Sequence, residues 1–439
     1  MNQAGAQVET DSDSPDRQFN QVAYVTREEA LKLLGVKLQS FYTYVSRGMI
    51  RTLEQPGKKR KLYLRDDVAR LGAKSQAKTS SGAKAANAMR FGDPVIQTFI
   101  CAITPRGPVY RNRLATDLAS SGISFESVSE LLWSGTLRTP EIPWSAEPLP
   151  ERFGDWLRLA DSIDTATPPL GILQLLVSAL RCSDTAELSS SFENTGALSR
   201  RLVQVFAGSS GYLGESRRFE PFQDRELVAA CIARGLGHGD EHQTIDAINS
   251  ALILCAEHEL TPPTFATRVC ASTGADLYAC VGTGIFAQSG PLQGGGTDGA
   301  EDFLEEVLEP SGKFRLARSG WSSKFEFPGF NHPLYSRDPR AEHLIALARN
   351  IDSPGKDSEK VLRLIDDIER DINFYPNITA ALVVLSRALG LPKRSANLLF
   401  SVGRVSGWIA HVLEQRVAGY MLRPRAKFAV PSHLTKNAI

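Results

Sequence analysis

From about Phe91 onward, apolar residues return every three or four positions, in stretches at 124–134, 171–181, 244–258, 264–275, 376–390 and 397–417. At about 3.6 residues per turn, that spacing gathers the apolar side chains on one face and predicts helices. No run of alternating apolar and polar residues marks a strand in this region, and no self-similar period marks a solenoid. The body therefore reads as all-α and as too large for a simple bundle.

The N-terminal pattern is different. Residues 1–22 are polar, rich in Asp, Gln and Ser, and predict a disordered tail. In "VTREEALKLLGVKLQSFYTYVSRGMIRTLEQPGKKRKLYLRDDVARL", Thr26 followed by Glu29 forms a capping box, and Ala30, Leu33 and Leu34 give the helix an apolar face. Gly35 breaks it, and a second helix runs from Lys37 to Arg47 before Gly48. "RTLEQPGKKRKLYLR" predicts a hairpin turning at Pro56-Gly57, and "RDDVARL" opens a third helix. This order, over 23–71, resembles a winged helix-turn-helix of the mercury-regulator and excisionase type. Residues 72–90 are rich in Ala, Ser and Lys without an apolar period and read as a linker.

Charge supports a separate module. Lys37 to Arg90 carry 13 Lys/Arg against 3 Asp/Glu, a local +10 in a chain whose total is +1, so the remainder sums to −9. Such asymmetry points to a polyanionic partner. If the module reads double-stranded DNA, Gln39, Ser40, Tyr42, Thr43 and Arg47 face the major groove, and Lys58, Lys59, Arg60 and Lys61 touch phosphates across the wing. The same charge run also suits a solvated turn, and such modules also serve as protein-binding appendages.

The six cysteines (Cys101, Cys182, Cys231, Cys255, Cys270, Cys280) form no CxxC pair and mostly sit in apolar runs, as buried thiols in a reducing compartment do. No signal peptide and no membrane-length apolar stretch stands out. A cytoplasmic protein that does not enter membranes is expected.

Histidine is scarce, with seven in the chain. His258 ends an apolar helix before Pro262-Pro263, a place for either a structural hydrogen-bonder or a ligand contact. His332 lies in "FPGFNHPLYSRDPRAEHL", a loop of Pro, Gly and aromatics. Arg340, Arg404 and Arg423 stand apart in apolar or turn-like settings, and arginine suits bidentate recognition of carboxylates. Together these residues suggest a di- or tricarboxylate site. His238 and His242 in "GHGDEH" are spaced as on a helix, but without HExxH or a third ligand they read as a polar helix start and not as a metal site. The triplet Gly294 to Gly296 in "GPLQGGGTDG" lacks the Lys-Ser/Thr ending of a phosphate-binding loop.

In order, "SFESVSELLWSGTL", "NSALILCAEHELTPPTFATRVCAST", "GPLQGG", "PGFNHPLYSRDPRA", "YPNITAAL" and "GRVSGWIAHVLEQ…RPR" resemble the landmarks of the citrate synthase family over about 91–430. The resemblance implies an all-helical homodimer with a large domain (91–290 and 384–439) and a small domain (291–383) closing over substrate. It implies condensation of an acyl-CoA with an oxoacid, and no cofactor. By position, His258 matches the oxaloacetate-binding histidine, and His332 the one that polarises the ketone and protonates the alkoxide. Arg340, Arg404 and Arg423 match the carboxylate-binding arginines, the last reaching the neighbouring subunit. Gly294 and Gly295 match the turn that approaches the acyl-CoA.

Three departures cluster at the implied site. Gln293 replaces the histidine that stabilises the enolised thioester, and Thr379 replaces the aspartate base. Asn331 stands where the family has glycine, and the His332–Arg340 interval is one residue short. A glutamine amide still donates a hydrogen bond to an oxygen acquiring charge. A threonine hydroxyl does not replace a carboxylate base, and loss of a positioned base costs roughly 10²–10⁴-fold. Asp298, five residues beyond Gln293, is a candidate carboxylate to stand in as the base. Three readings follow. In one, the site binds a carboxylate or acyl-CoA, condenses weakly or not at all, and reports to DNA or supports an active paralogue. In another, the enzyme is active with an altered catalytic set. In the third, the protein is a purely structural partner.

Overall fold

The computed structural model describes residues 24–34, 36–46, 49–50, 52–54, 61–65, 67–68, 96–164, 167–184, 195–239, 241–293, 295–308 and 327–425. These fall into two units, one of Met1–Gln97 with Arg425–Ile439 and one spanning Thr98–Pro424.

In the first unit, β1 (Tyr24–Val25) leads into α1 (Arg27–Leu34) and α2 (Leu38–Ser46), followed by β2 (Thr52–Glu54) and β3 (Lys61–Leu64). The capping box forms: Thr26 N–H donates to Glu29 Oε2 at 2.8 Å, and Glu29 N–H to Thr26 Oγ1 at 3.3 Å. The strands form an antiparallel sheet in the order β1-β3-β2, with Thr52 opposite Tyr63 and Glu54 opposite Lys61. Val25, Ala30, Leu34, Phe41, Ile50, Tyr63 and Val68 close a small core. The tail, the linker, the hairpin turn, and the candidate residues Arg47, Lys58, Lys59 and Arg60 lie outside the described residues.

The second unit opens with a feature absent from the sequence reading, an antiparallel meander of β4 (Cys101–Thr104), β5 (Gly107–Tyr110) and β6 (Arg113–Leu114). These strands hold two to four residues, and β5 is almost wholly buried, so no inside–outside alternation develops to announce them.

The remainder is helical: α3 (Ala115–Ser120), α4 (Phe125–Ser134), α5 (Phe153–Ala160), α6 (Pro169–Ser183), α7 (Thr195–Gly208), α8 (Val228–Gly235), α9 (His242–Cys255), α10 (Pro262–Ser272) and α11 (Leu277–Gln288). These are followed by α12 (Gly295–Leu308), α13 (Pro339–Arg349), α14 (Ser358–Ile372), α15 (Ile378–Ala388) and α16 (Ser395–Ala418). The ends follow from local chemistry. Ser124 caps α4 by accepting Ser127 N–H, Asp276 caps α11, and Pro262 and Pro339 occupy first turns, where a missing N–H costs nothing. Helix α16 is buried on nearly every side from Ser395 to Val412 and packs on α4, α7, α9, α10, α11 and α15. It is buried all round, with polar side chains such as Arg404 and His411 included, because it is the axis of this core.

Gly329 marks the tightest junction near the site. Its φ of +86° is left-handed, and a Cβ there would lie 2.9 Å from both Ala300 on α12 and Ala380 on α15. Only glycine lets the 327–332 loop pass between those helices.

Candidate active site

Four elements converge. The turn after α9 supplies His258, the 327–338 loop supplies His332 and Tyr335, α13 supplies Arg340, and α16 supplies Arg404. The His258 and His332 rings meet edge to face at 5.2 Å between centroids, and Tyr335 lies 4.8 Å from His332. The Tyr335 hydroxyl shares a 3.1 Å hydrogen bond with His258 Nε2.

Both imidazoles are neutral at physiological pH. Burial, then the positive charges of Arg340 and Arg404 and the ring of His332, hold His258 well below the usual histidine range. Burial and Arg340 push His332 down to about 4. The Leu334 N–H donates to His332 Nδ1 at 3.1 Å, so a neutral ring carries its proton on Nε2. His332 therefore presents an N–H donor, the form that polarises a carbonyl oxygen.

Arg340 is 1% exposed and is gripped by Asp338, with Nε to Oδ1 at 2.9 Å and Nη2 to Oδ2 at 2.8 Å. Asp338 also caps α13 through Arg340 N–H and accepts Ile378 N–H at 3.1 Å. Burial alone would push its carboxyl up, but Arg340 outweighs burial and holds it below the usual carboxylate range. A guanidinium offers five N–H donors, so a second carboxylate still finds an edge. Arg404 is buried in α16, not in a turn, and donates from Nε to Cys255 O at 2.7 Å, which fixes the chain just before His258.

Thr379 is joined to this cluster through the backbone. Asn331, at φ +56°, adopts the left-handed conformation that asparagine tolerates. Its N–H donates to Tyr375 O at 2.6 Å, its Oδ1 accepts Tyr375 N–H, and its carbonyl accepts Asn377 Nδ2 at 3.0 Å. Asn377 caps α15, and its Oδ1 accepts both Thr379 N–H at 2.9 Å and Thr379 Oγ1–H at 2.7 Å. The threonine hydroxyl proton is thus spent within its own helix cap.

The other candidates stand further off. Gln293 is half-buried in the turn before α12, with its backbone bonded to Gly290 and Gly296 and no side-chain hydrogen bond among the described residues. Gly295 begins α12, and Gly294 is not among the described residues. Asp298 lies against Arg394 and Asn397. Arg423 is exposed in the segment after α16 and does not join the cluster within one chain. His238 bonds Glu241 ahead of α9, and among the described residues no three ligand-type side chains converge.

Five contributing residues were missed in the sequence. Tyr335 follows His332 by three residues in a loop, where spacing carries no facing rule. Asp338 before Pro339 is a legible helix-start signature, but that signature does not announce its side-chain grip on Arg340. Behind His258, the wholly buried Glu257 accepts from His411 Nε2 at 3.1 Å, and Arg268 donates to His411 Nδ1 at 3.0 Å. No local pattern announces a pair 154 residues apart.

The family model described as "Citrate synthase, C-terminal domain" matches residues 91–425. "Citrate synthase 2" of Bacillus subtilis is 29% identical over 60% of this chain and 73% of its own. The "Citrate/2-methylcitrate synthase" of the same organism is 28% identical over 67% of this chain and 80% of its own. Among solved structures, a citrate synthase from Thermoplasma acidophilum, in ternary complex with carboxymethyl coenzyme A and oxaloacetate, superposes with a TM-score of 0.66. It is 21% identical, and the match covers 77% of this chain and 94% of that one.

Proposed function

The chain belongs to the citrate synthase family, and we propose that its site binds a di- or tricarboxylate, or an acyl-CoA, with weak or no condensation. The chemistry divides in two. Holding an oxoacid needs cationic forks and neutral donors, and the cluster of His258, His332, Arg340 and Arg404 supplies both. Joining it to an acyl-CoA also needs a base to take a proton from the acyl carbon. The observation that carries the reading is that neither group beside His332 is free to be that base. The Thr379 hydroxyl donates to Asn377, and the Asp338 carboxylate is held by Arg340 and the Ile378 N–H. Gln293 keeps a donor at the position matching the family's second histidine.

A homodimer fits this reading. Phe99, Val417, Tyr420 and Met421 are exposed near the end of α16, where Glu414 accepts the Phe99 N–H, and Arg423 follows them. An apolar patch of this kind marks an interface, and across it Arg423 would complete the partner's site. The large and small domains of the resemblance are proposed with it, closing over the ligand.

The N-terminal unit is proposed to be a winged helix-turn-helix that binds double-stranded DNA, so that the dimer reports its ligand to a symmetric site. Gln39, Ser40, Tyr42 and Thr43 lie exposed on α2 while Phe41 turns inward, and Lys61 is exposed at the start of β3. Support of an active paralogue is the alternative output.

Calorimetric titration of oxaloacetate and of citrate tests the pocket. Saturable binding that Arg404→Lys weakens about tenfold or more is expected, since lysine keeps the charge and loses the fork. No binding by the unmodified protein would overturn the proposal. Duplex binding that weakens steeply with salt, and is lost on neutralising Lys58 to Lys61, is expected of the N-terminal unit.

A further inference from the structure

A cavity of about 230 Å³ opens between α4, the loop at 138–147 and α7, lined by Glu126, Glu130, Arg138, Trp144, Glu147 and Arg200 among others. It lies outside the histidine cluster. Glu126, in the first turn of α4, is 3% exposed. Its Oε1 accepts the Val228 N–H at 2.5 Å, while its buried Oε2 has no hydrogen-bond partner. A carboxylate oxygen withdrawn from water and left unpaired is costly unless something binds it.

The surrounding charges specify the missing partner. Arg200 is committed to Glu147 at 2.6 Å and reaches Glu130 at 3.6 Å. Arg138 is exposed at the rim and forms no ion pair among the described residues. Acidic groups also stand behind the lining, Glu141 against Ser124 and Glu226 paired with Arg234. The floor is therefore anionic. One wall is apolar: Trp144 stacks on Trp133 at 5.6 Å, and Ile142 and Pro143 continue the surface. Among the described residues no convergent ligand set suits a metal ion, so the cation that fits is organic.

We infer that this cavity binds the primary ammonium group of a small metabolite, which faces Glu126 and Glu130 while its hydrocarbon body lies against Trp144, Pro143 and Ile142. Two sources share this chemistry, a free amine and an amino acid. Arg138 at the rim would add a contact to the carboxylate of the second. Burial pushes the Glu126 carboxyl up to about 7, so near neutral pH an arriving ammonium displaces a proton to solvent.

The test uses the full-length protein with 3-methylbutylamine, L-leucine and tetramethylammonium at matched ionic strength, read by thermal shift and calorimetry. 3-Methylbutylamine is expected to stabilise and to bind saturably, and tetramethylammonium, which has charge but no N–H, is not. L-Leucine binding more tightly than its decarboxylated counterpart assigns Arg138 a carboxylate, and weaker binding assigns the site to free amines. Glu126→Gln keeps the acceptor for Val228 and should weaken the amine about tenfold or more. Should that variant fail to fold, Trp144→Phe provides a second reading, since shortening the wall should weaken the amine without altering its proton release. Binding heats in buffers of different ionisation enthalpy should differ near pH 7 and converge well above it, with Glu130, Glu141, Glu147, Glu226, Arg138 and Arg200 as the other charges present. No stabilisation by the amine, equal binding of tetramethylammonium, or full binding by a folded Glu126→Gln overturns the inference.

Discussion

Restoring a carboxylate at position 379 isolates the chemistry from the fold. Thr379 is the second residue of α15, and Asn377 Oδ1 accepts from both its N–H and its hydroxyl. Thr379→Asp removes the hydroxyl donor, a loss of about 1 kcal/mol. A carboxylate in the first turn of a helix returns roughly 0.3–1 kcal/mol through the unpaired N–H groups there. The two nearly cancel, so unfolding free energy should change by less than about 1 kcal/mol. The rate should change far more. The new carboxylate enters the segment that Asn331 and Asn377 tie beside His332. A positioned base contributes roughly 10²–10⁴-fold, or about 3–5 kcal/mol of barrier. Release of CoA from acetyl-CoA or propionyl-CoA with oxaloacetate, followed with a thiol-reactive chromophore, measures it. Adding Gln293→His should contribute less, about tenfold, because the glutamine amide already donates. A Thr379→Asp protein that melts normally and binds oxaloacetate but releases no more CoA than its parent would refute the reasoning.

Other predictions follow from the buried charges. Asp338→Asn strands the guanidinium of Arg340, which should cost about 3–5 kcal/mol in denaturant unfolding and abolish oxoacid binding; a loss under about 1 kcal/mol would mean the pair is not the anchor of α13. His332 is held below its unfolded value, so the unfolded state binds the extra proton first and stability falls as pH drops from 6.5 toward 4. Between pH 6.5 and 5 this amounts to about 1.6 kcal/mol, and His332→Gln should flatten the stability–pH profile by that much, whereas identical profiles would contradict a neutral His332.

The long helices were legible because burial and periodicity agree. The apolar stretch at 397–417 is Ser395–Ala418, and that at 124–134 is Phe125–Ser134. The capping box at Thr26 was legible for the same local reason. The β4–β6 meander was not, since its strands are too short for a period to emerge. At the site, His258, His332, Arg340 and Arg404 were assigned through the ordered motifs that resemble the citrate synthase family, and the structure brings them together. The hydrogen bond between Tyr335 and His258 links residues 77 apart, and no spacing rule reaches that far. Asp338 shows a different limit. Its helix-capping role was written in Asp-Pro, but its hold on Arg340 appears only once both are buried.

CoA release by the unmodified protein, assayed across several acyl-CoAs with oxaloacetate, bears most directly on whether this site has lost its base. No release above the uncatalysed rate is the result expected of Thr379 and Asp338 as they stand. Robust turnover would contradict the account and require a base other than these two.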